Sequence, residues 1–194
     1  MSEPLHVLIA DEREERALAV KAELEKLKCL VSVCAPDSLL KSVETHQPDV
    51  IVIDIDSPGR DTLESLSTIN TFNPKPIVMF AERHDTEIIN EAIQAGVSAY
   101  VVDSTSPQRV KPIVDAAIAR FREFQALRSE LESTKRELNS KRHVDRAKAL
   151  LIKHQGLNED KAYKTLRKMA MDRGQRMEEV AKTVISMFDA LGGG

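Results

Sequence analysis

The 194-residue chain is 42% apolar with a net charge of −3, enough hydrophobic content for one large domain or two small ones. No apolar run approaches the roughly 18 residues of a membrane span, and the N-terminus MSEPLHVLIADE lacks the basic, apolar, small-residue order of a secretory leader, so a cytoplasmic protein without membrane association is expected. Cys29 and Cys34 are the only cysteines; they are expected to stay reduced, and no His/Cys cluster has zinc spacing.

The charge is unevenly spread. Residues 1–122 hold 13 Lys+Arg against 20 Asp+Glu, a net of −7, whereas residues 139–194 hold 12 against 7, a net of +5. An acidic front and a basic back imply two jobs, the second near phosphates.

Five short apolar runs lead the chain: HVLIA (6–10), LVSVC (30–34), VIVIDI (50–55), PIVMFA (76–81) and AYVV (99–102). Helical patterns separate them. Ala17, Val20, Leu24 and Leu27 share one face of the first, Leu40 and Val43 mark the second, and Leu63, Leu66 and Ile69 the third. Ile88, Ile89, Ala92 and Ile93 mark the fourth, with Gly96 as its C′ residue. Strands alternating with helices predict an α/β fold, a doubly wound five-stranded parallel sheet with helices on both faces. Ligands of such sheets sit at the carboxyl ends of the strands. There the sequence places Asp11, Glu12 and Asp54. Three converging carboxylates are tolerable around a hard cation such as Mg²⁺; the alternative is a solvated acidic edge.

VLIADE, VIVIDIDSPG, PIVMFAE and GVSAYVV resemble, in that order, a response-regulator receiver domain over about residues 4–122. The resemblance implies an acid pair (Asp11 and Glu12) that binds Mg²⁺ together with Asp54, the phosphoacceptor position. It also implies a hydroxyl ending strand four and a lysine ending strand five. Ala81 and Asp103 stand there instead. A lysine would offset the charge of an incoming phosphoryl group, and an aspartate adds repulsion. A docking domain controlled by a partner protein is therefore expected, with no cofactor required and Mg²⁺ possible in the acidic pocket.

Ser106-Pro107 reads as an N-cap followed by proline, and Pro112 should kink or delay the helix behind it. From Ile113 nothing stops a helix before Gly156. Phe124, Leu127, Leu131, Thr134 and Leu138 form a seam spaced 3, 4, 3, 4 over about three heptads. The seam suits a homodimer; the alternative is a single helix packed on its own protein.

Past Gly156, Asn158 is a good N-cap for NEDKAYKTLRKMAMDRG, and RMEEVAKTVISMFDAL forms a last helix. With Val144, Ala147, Leu150 and Leu151 these segments make one small basic three-helix bundle. Tyr163 precedes Arg167 by four residues, so ring and guanidinium share a helix face suited to unpaired RNA bases. The alternative has Tyr163 capping the core and Arg167 paired with Asp160 or Glu159.

RAKALLIKHQGLNEDKAYKTLRKMAMDRGQRMEEVAKTVI resembles the ANTAR output domain of bacterial transcription antiterminators. The matching residues are Ala147, Lys148, Leu150, Leu151, Gly156, Ala162, Tyr163, Leu166, Arg167, Ala170, Met171, Val180 and Ala181. The layout is most similar to the NasT type of nitrate-assimilation antiterminators. The resemblance implies binding to paired hairpin loops in a leader RNA and control by a nitrate-sensing regulatory protein. The expected RNA-binding set is Ala147, Lys148, Tyr163, Arg167, Lys168 and Arg176, and the expected dimer set is Phe124, Leu127, Leu131 and Leu138. The domains are then 1–112 (receiver-like), 113–142 (long coiled-coil helix) and 143–194 (ANTAR). A DNA-binding, phosphorylation-dependent response regulator is the alternative. An enzyme is not expected, because no nucleophile–base set and no phosphate-cradling glycine loop occurs.

Overall fold

The computed structural model describes residues 4–82, 85–102 and 106–191. It forms two compact units, residues 1–125 and 126–194.

The first unit is a five-stranded, all-parallel sheet in the order β2-β1-β3-β4-β5. The strands are β1 (His6–Asp11), β2 (Leu30–Cys34), β3 (Val50–Ile55), β4 (Ile77–Ala81) and β5 (Ala99–Val102). Between them run α1 (Glu14–Lys26), α2 (Leu39–His46), α3 (Arg60–Phe72) and α4 (Thr86–Gln94), followed by α5 (Pro107–Gln155). This is the doubly wound fold that the alternation of patterns predicts.

Side-chain alternation along the strands divides the core into two layers. Val7 and Ile9 of β1, Val50 and Val52 of β3, and Val78 and Phe80 of β4 pack with Ala17, Val20 and Leu24 of α1 and Val110, Val114 and Ala117 of α5. Leu8, Ile51, Ile53, Ile77 and Met79 face the other way, onto α2, α3 and α4. Each fully buried aliphatic side chain contributes about 1.5–3 kcal/mol relative to exposure. The same parity assigns Asp11 and Asp54, the next residues in the Val7–Ile9 and Val50–Val52 series, to the face that α1 covers. Gly96 follows α4 at φ 109°, and a Cβ there would lie 2.5 Å from Asn70 Cγ on α3, so both conformation and space call for glycine.

The helix after β5 departs from expectation at its start. It begins at Pro107 and runs unbroken through Pro112 for 49 residues. Pro112 removes one backbone hydrogen bond, to Gln108, only two turns in. Burial of Val110, Val114 and Ala117 against the sheet holds that segment helical on both sides of the proline. In the second unit the end of α5 packs with α6 (Glu159–Arg173) and α7 (Met177–Leu191) around Ala147, Leu151, Ala162, Leu166, Ala170, Val180, Ala181, Val184 and Ile185. The Asn158 side chain accepts from Lys161 N–H at 2.9 Å, capping α6, and Gly174 ends it in the left-handed region.

Candidate functional site

Two places in the chain collect chemistry. The first is the carboxyl edge of the sheet. β1 and β3 are neighbours in register, which sets Asp11 opposite Asp54. The Asp11 side chain is 1% exposed and that of Asp54 14%. Two carboxylates so placed repel each other and lose hydration. Two arginines at the start of α1 answer this. The Arg13 backbone N–H donates to Asp11 Oδ1 at 2.7 Å. Arg16 donates through Nε to Asp11 Oδ2 at 3.3 Å and through Nη2 to Asp54 Oδ1. One guanidinium thus bridges both acids. The Arg13 side chain reaches outward, to Asp56 at 2.7 Å and Glu82 at 3.4 Å.

Burial pushes the Asp54 carboxyl up to about 6; the Arg16 charge opposes that shift and the Asp11 charge adds to it. Glu12 is not part of the cluster. It is exposed and makes no hydrogen bond or ion pair among the described residues. Among the described residues no three His, Cys, Asp or Glu side chains group as a metal site. Ala81 ends β4 as a buried methyl, in register with Ile55. Asp103 lies outside the described residues.

Arg13 and Arg16 were not singled out in the sequence. The signal that could have found them is DEREER, where basic residues two and five positions past Asp11 enter a helix beside the acidic strand edge.

The second place is the surface of the helical bundle. Tyr163 stands on α6 at 44% exposure. Arg167, four residues on, is exposed. The acids that could have claimed it are taken: Lys164 pairs with Asp160 at 2.7 Å, and Lys148 with Glu159 at 3.0 Å. Among the described residues Arg167 and Lys168 form no ion pair. The Arg176 guanidinium forms none either, although the Arg176 backbone N–H donates to Glu179 Oε2 at 3.2 Å, half of a capping box that starts α7. Tyr163, Arg167 and Lys168 therefore lie on one helix, and Arg176 just beyond the next turn, as uncommitted surface groups.

Two members of the expected RNA-binding set differ. Ala147 is fully buried, so it serves packing: its small side chain lets α5 approach the other two helices, and it has no surface to offer a ligand. Lys148 is 17% exposed and held between Asp145, at 2.9 Å, and Glu159, and hydrogen bonds to both raise its pKa. On α5, Phe124, Leu127, Leu131 and Leu138 are all at least half exposed. Among the described residues no helix is long and apolar enough to cross a membrane.

Comparison with known proteins agrees with this division. Residues 7–115 match the response regulator receiver domain and residues 132–185 the ANTAR domain. The transcriptional regulatory protein PdtaR of Mycobacterium tuberculosis is 34% identical over 142 residues, 73% of this chain and 69% of that protein. The nitrate regulatory protein of Klebsiella oxytoca is 34% identical over 85 residues, 44% of this chain and 22% of that one. Among solved structures, the chemotaxis response regulator CheY4 of Vibrio cholerae superposes with a TM-score of 0.53 at 19% identity, covering 59% of this chain and 98% of that one. A CheY-like receiver domain from Methanospirillum hungatei gives 0.56 at 19% identity over 62% and 98%. These structural likenesses speak for the fold of the first unit. An acidic edge on a receiver sheet, followed by a basic helical unit that the ANTAR domain matches, makes this chain a member of the ANTAR response-regulator family.

Proposed function

We propose that the chain is an RNA-binding transcription antiterminator that recognises paired hairpin loops in a leader RNA. The observation that carries this reading is the pairing of a half-exposed Tyr163 with an uncommitted Arg167 one turn away, on a unit of net positive charge. An exposed aromatic ring gives unpaired bases a stacking face, and a free guanidinium adds a planar donor fork for base edges or phosphates. Lys168 and Arg176 extend the positive surface. Lys148 is set aside, since its ammonium is already shared between Asp145 and Glu159.

Self-association through Phe124, Leu127, Leu131 and Leu138 forms a homodimer that presents two such surfaces. Two linked surfaces suit an RNA with two loops, because the second contact forms at high effective concentration. Control enters through the receiver unit by a sensor protein. Resemblance to NasT-type regulators, together with the partial similarity to a nitrate regulatory protein, favours nitrate or nitrite assimilation genes as the target and a nitrate sensor as the partner.

The test is a gel-shift comparison of a two-hairpin leader RNA, a one-hairpin RNA and duplex DNA of the same region. Preferential binding of the two-hairpin RNA supports the reading. Equal or tighter binding to the duplex overturns it in favour of a DNA-binding regulator.

A further inference from the structure

The receiver resemblance implies a divalent cation between Asp11, Glu12 and Asp54, and the residues present do not fit one. Three of the four carboxylate oxygens of Asp11 and Asp54 already accept hydrogen bonds, one from Arg13 N–H and two from Arg16. Glu12, the third acid, is exposed and apart. Mg²⁺ requires about six oxygen ligands in near-octahedral array and gives up water reluctantly. To bind here it would have to evict a guanidinium that already bonds both acids. The Arg16 side chain is itself only 21% exposed, with its bonds shared across two strands. Arginine suits such a place because its charge is permanent, planar and weakly hydrated.

We infer that Arg16 is the resident cation of the receiver pocket, taking by an internal ion pair the position that a divalent metal would otherwise hold. Two further facts, one of the sequence and one of the structure, support the assignment. Position 103 carries an aspartate, so strand five supplies no lysine to balance the acids. The positive charge instead comes from α1, whose Ala17, next to Arg16, is fully buried and fixes the helix against the sheet. The pocket thereby carries a built-in positive charge between its two acids, and the unit's resting conformation is independent of Mg²⁺. This inference rests on the receiver fold and not on what the helical bundle binds.

The experiment is calorimetric Mg²⁺ titration of the full chain, with thermal unfolding followed by circular dichroism at each Mg²⁺ level. The unmutated chain is expected to show no binding below about 10 mM and no shift of its midpoint. Arg16→Met frees the carboxylates, and is expected to bind Mg²⁺ at least about tenfold more tightly and to gain in midpoint as Mg²⁺ rises. Adding Asp11→Asn to Arg16→Met should abolish that gain. Submillimolar binding by the unmutated chain, or a folded Arg16→Met chain with no gain, overturns the inference. Should Arg16→Met fail to fold, the titration of the unmutated chain decides by itself. RNA affinity measured on the same samples bears only on the proposed function.

Discussion

Asp11 and Asp54 are register partners on adjacent parallel strands, and a single side chain from α1, that of Arg16, donates to both. The strand register decides which acids meet, and the helix that follows β1 decides what meets them.

The buried carboxyl of Asp54 should make receiver stability depend on pH in a definite direction. Its folded pKa of about 6 stands above the usual 3.8, so the folded state holds the proton more tightly than the unfolded chain. The stabilisation is full below about pH 4 and is lost as pH rises through 6. Asp54→Asn lacks this dependence. In metal-free buffer the mutant is expected to gain about 1–3 kcal/mol on the unmutated chain between pH 4.5 and 7.5. Urea denaturation at several pH values measures the difference. Parallel curves for the two proteins would contradict it.

Tyr163→Ala and Arg167→Ala should each weaken binding of the two-hairpin RNA by about 1–3 kcal/mol, the usual scale for one stacked base. Neither change should disturb folding, because Tyr163 is half exposed and Arg167 has no ion-pair partner among the described residues. Circular dichroism establishes the fold and gel shift the affinity. Folded variants with unchanged RNA affinity would move the interface to another face.

Leu127→Ser combined with Leu131→Ser removes two apolar groups from an exposed seam of α5. Self-association, read by sedimentation equilibrium, should fall together with affinity for two-loop RNA, while affinity for a one-loop RNA stays within about twofold. A monomeric unmutated chain at micromolar concentration would remove the dimer from the proposal.

Gly96→Ala should destabilise the receiver unit by about 1–3 kcal/mol, since it strains the backbone at φ 109° and forces a Cβ against Asn70. Adding Asn70→Ala removes the Cγ contact but leaves the Asn70 Cβ 2.6 Å from the new methyl and leaves the strain, so only part of the loss should return. Full recovery in thermal unfolding would show that sterics alone require the glycine.

Local chemistry was readable from the sequence where neighbours in the chain decide the outcome. Asn158 caps α6 and Gly96 follows α4 because caps depend on residues three or four positions away. The strands were readable because burial on both faces leaves a continuous apolar run. Pro112 misled, since a proline's local penalty carries no information about Val110 and Val114 packing on a distant sheet. The Arg16 bridge was hidden for a related reason: it joins residues 5 and 38 positions apart, through a register that only the folded sheet defines. Ala147 shows the limit of a motif, which records buried and exposed positions alike without saying which touch a ligand.

The start of α7 divides labour within one residue. The main chain of Arg176 is committed to the helix through Glu179, while its guanidinium is committed to nothing among the described residues. Tyr163 and Arg167 share that arrangement, with backbones locked in α6 and side chains outside the core. On the proposed function, specificity of this unit can therefore be rewritten position by position while the scaffold underneath keeps its stability. A family of regulators could diversify its targets on such a bundle without refolding it.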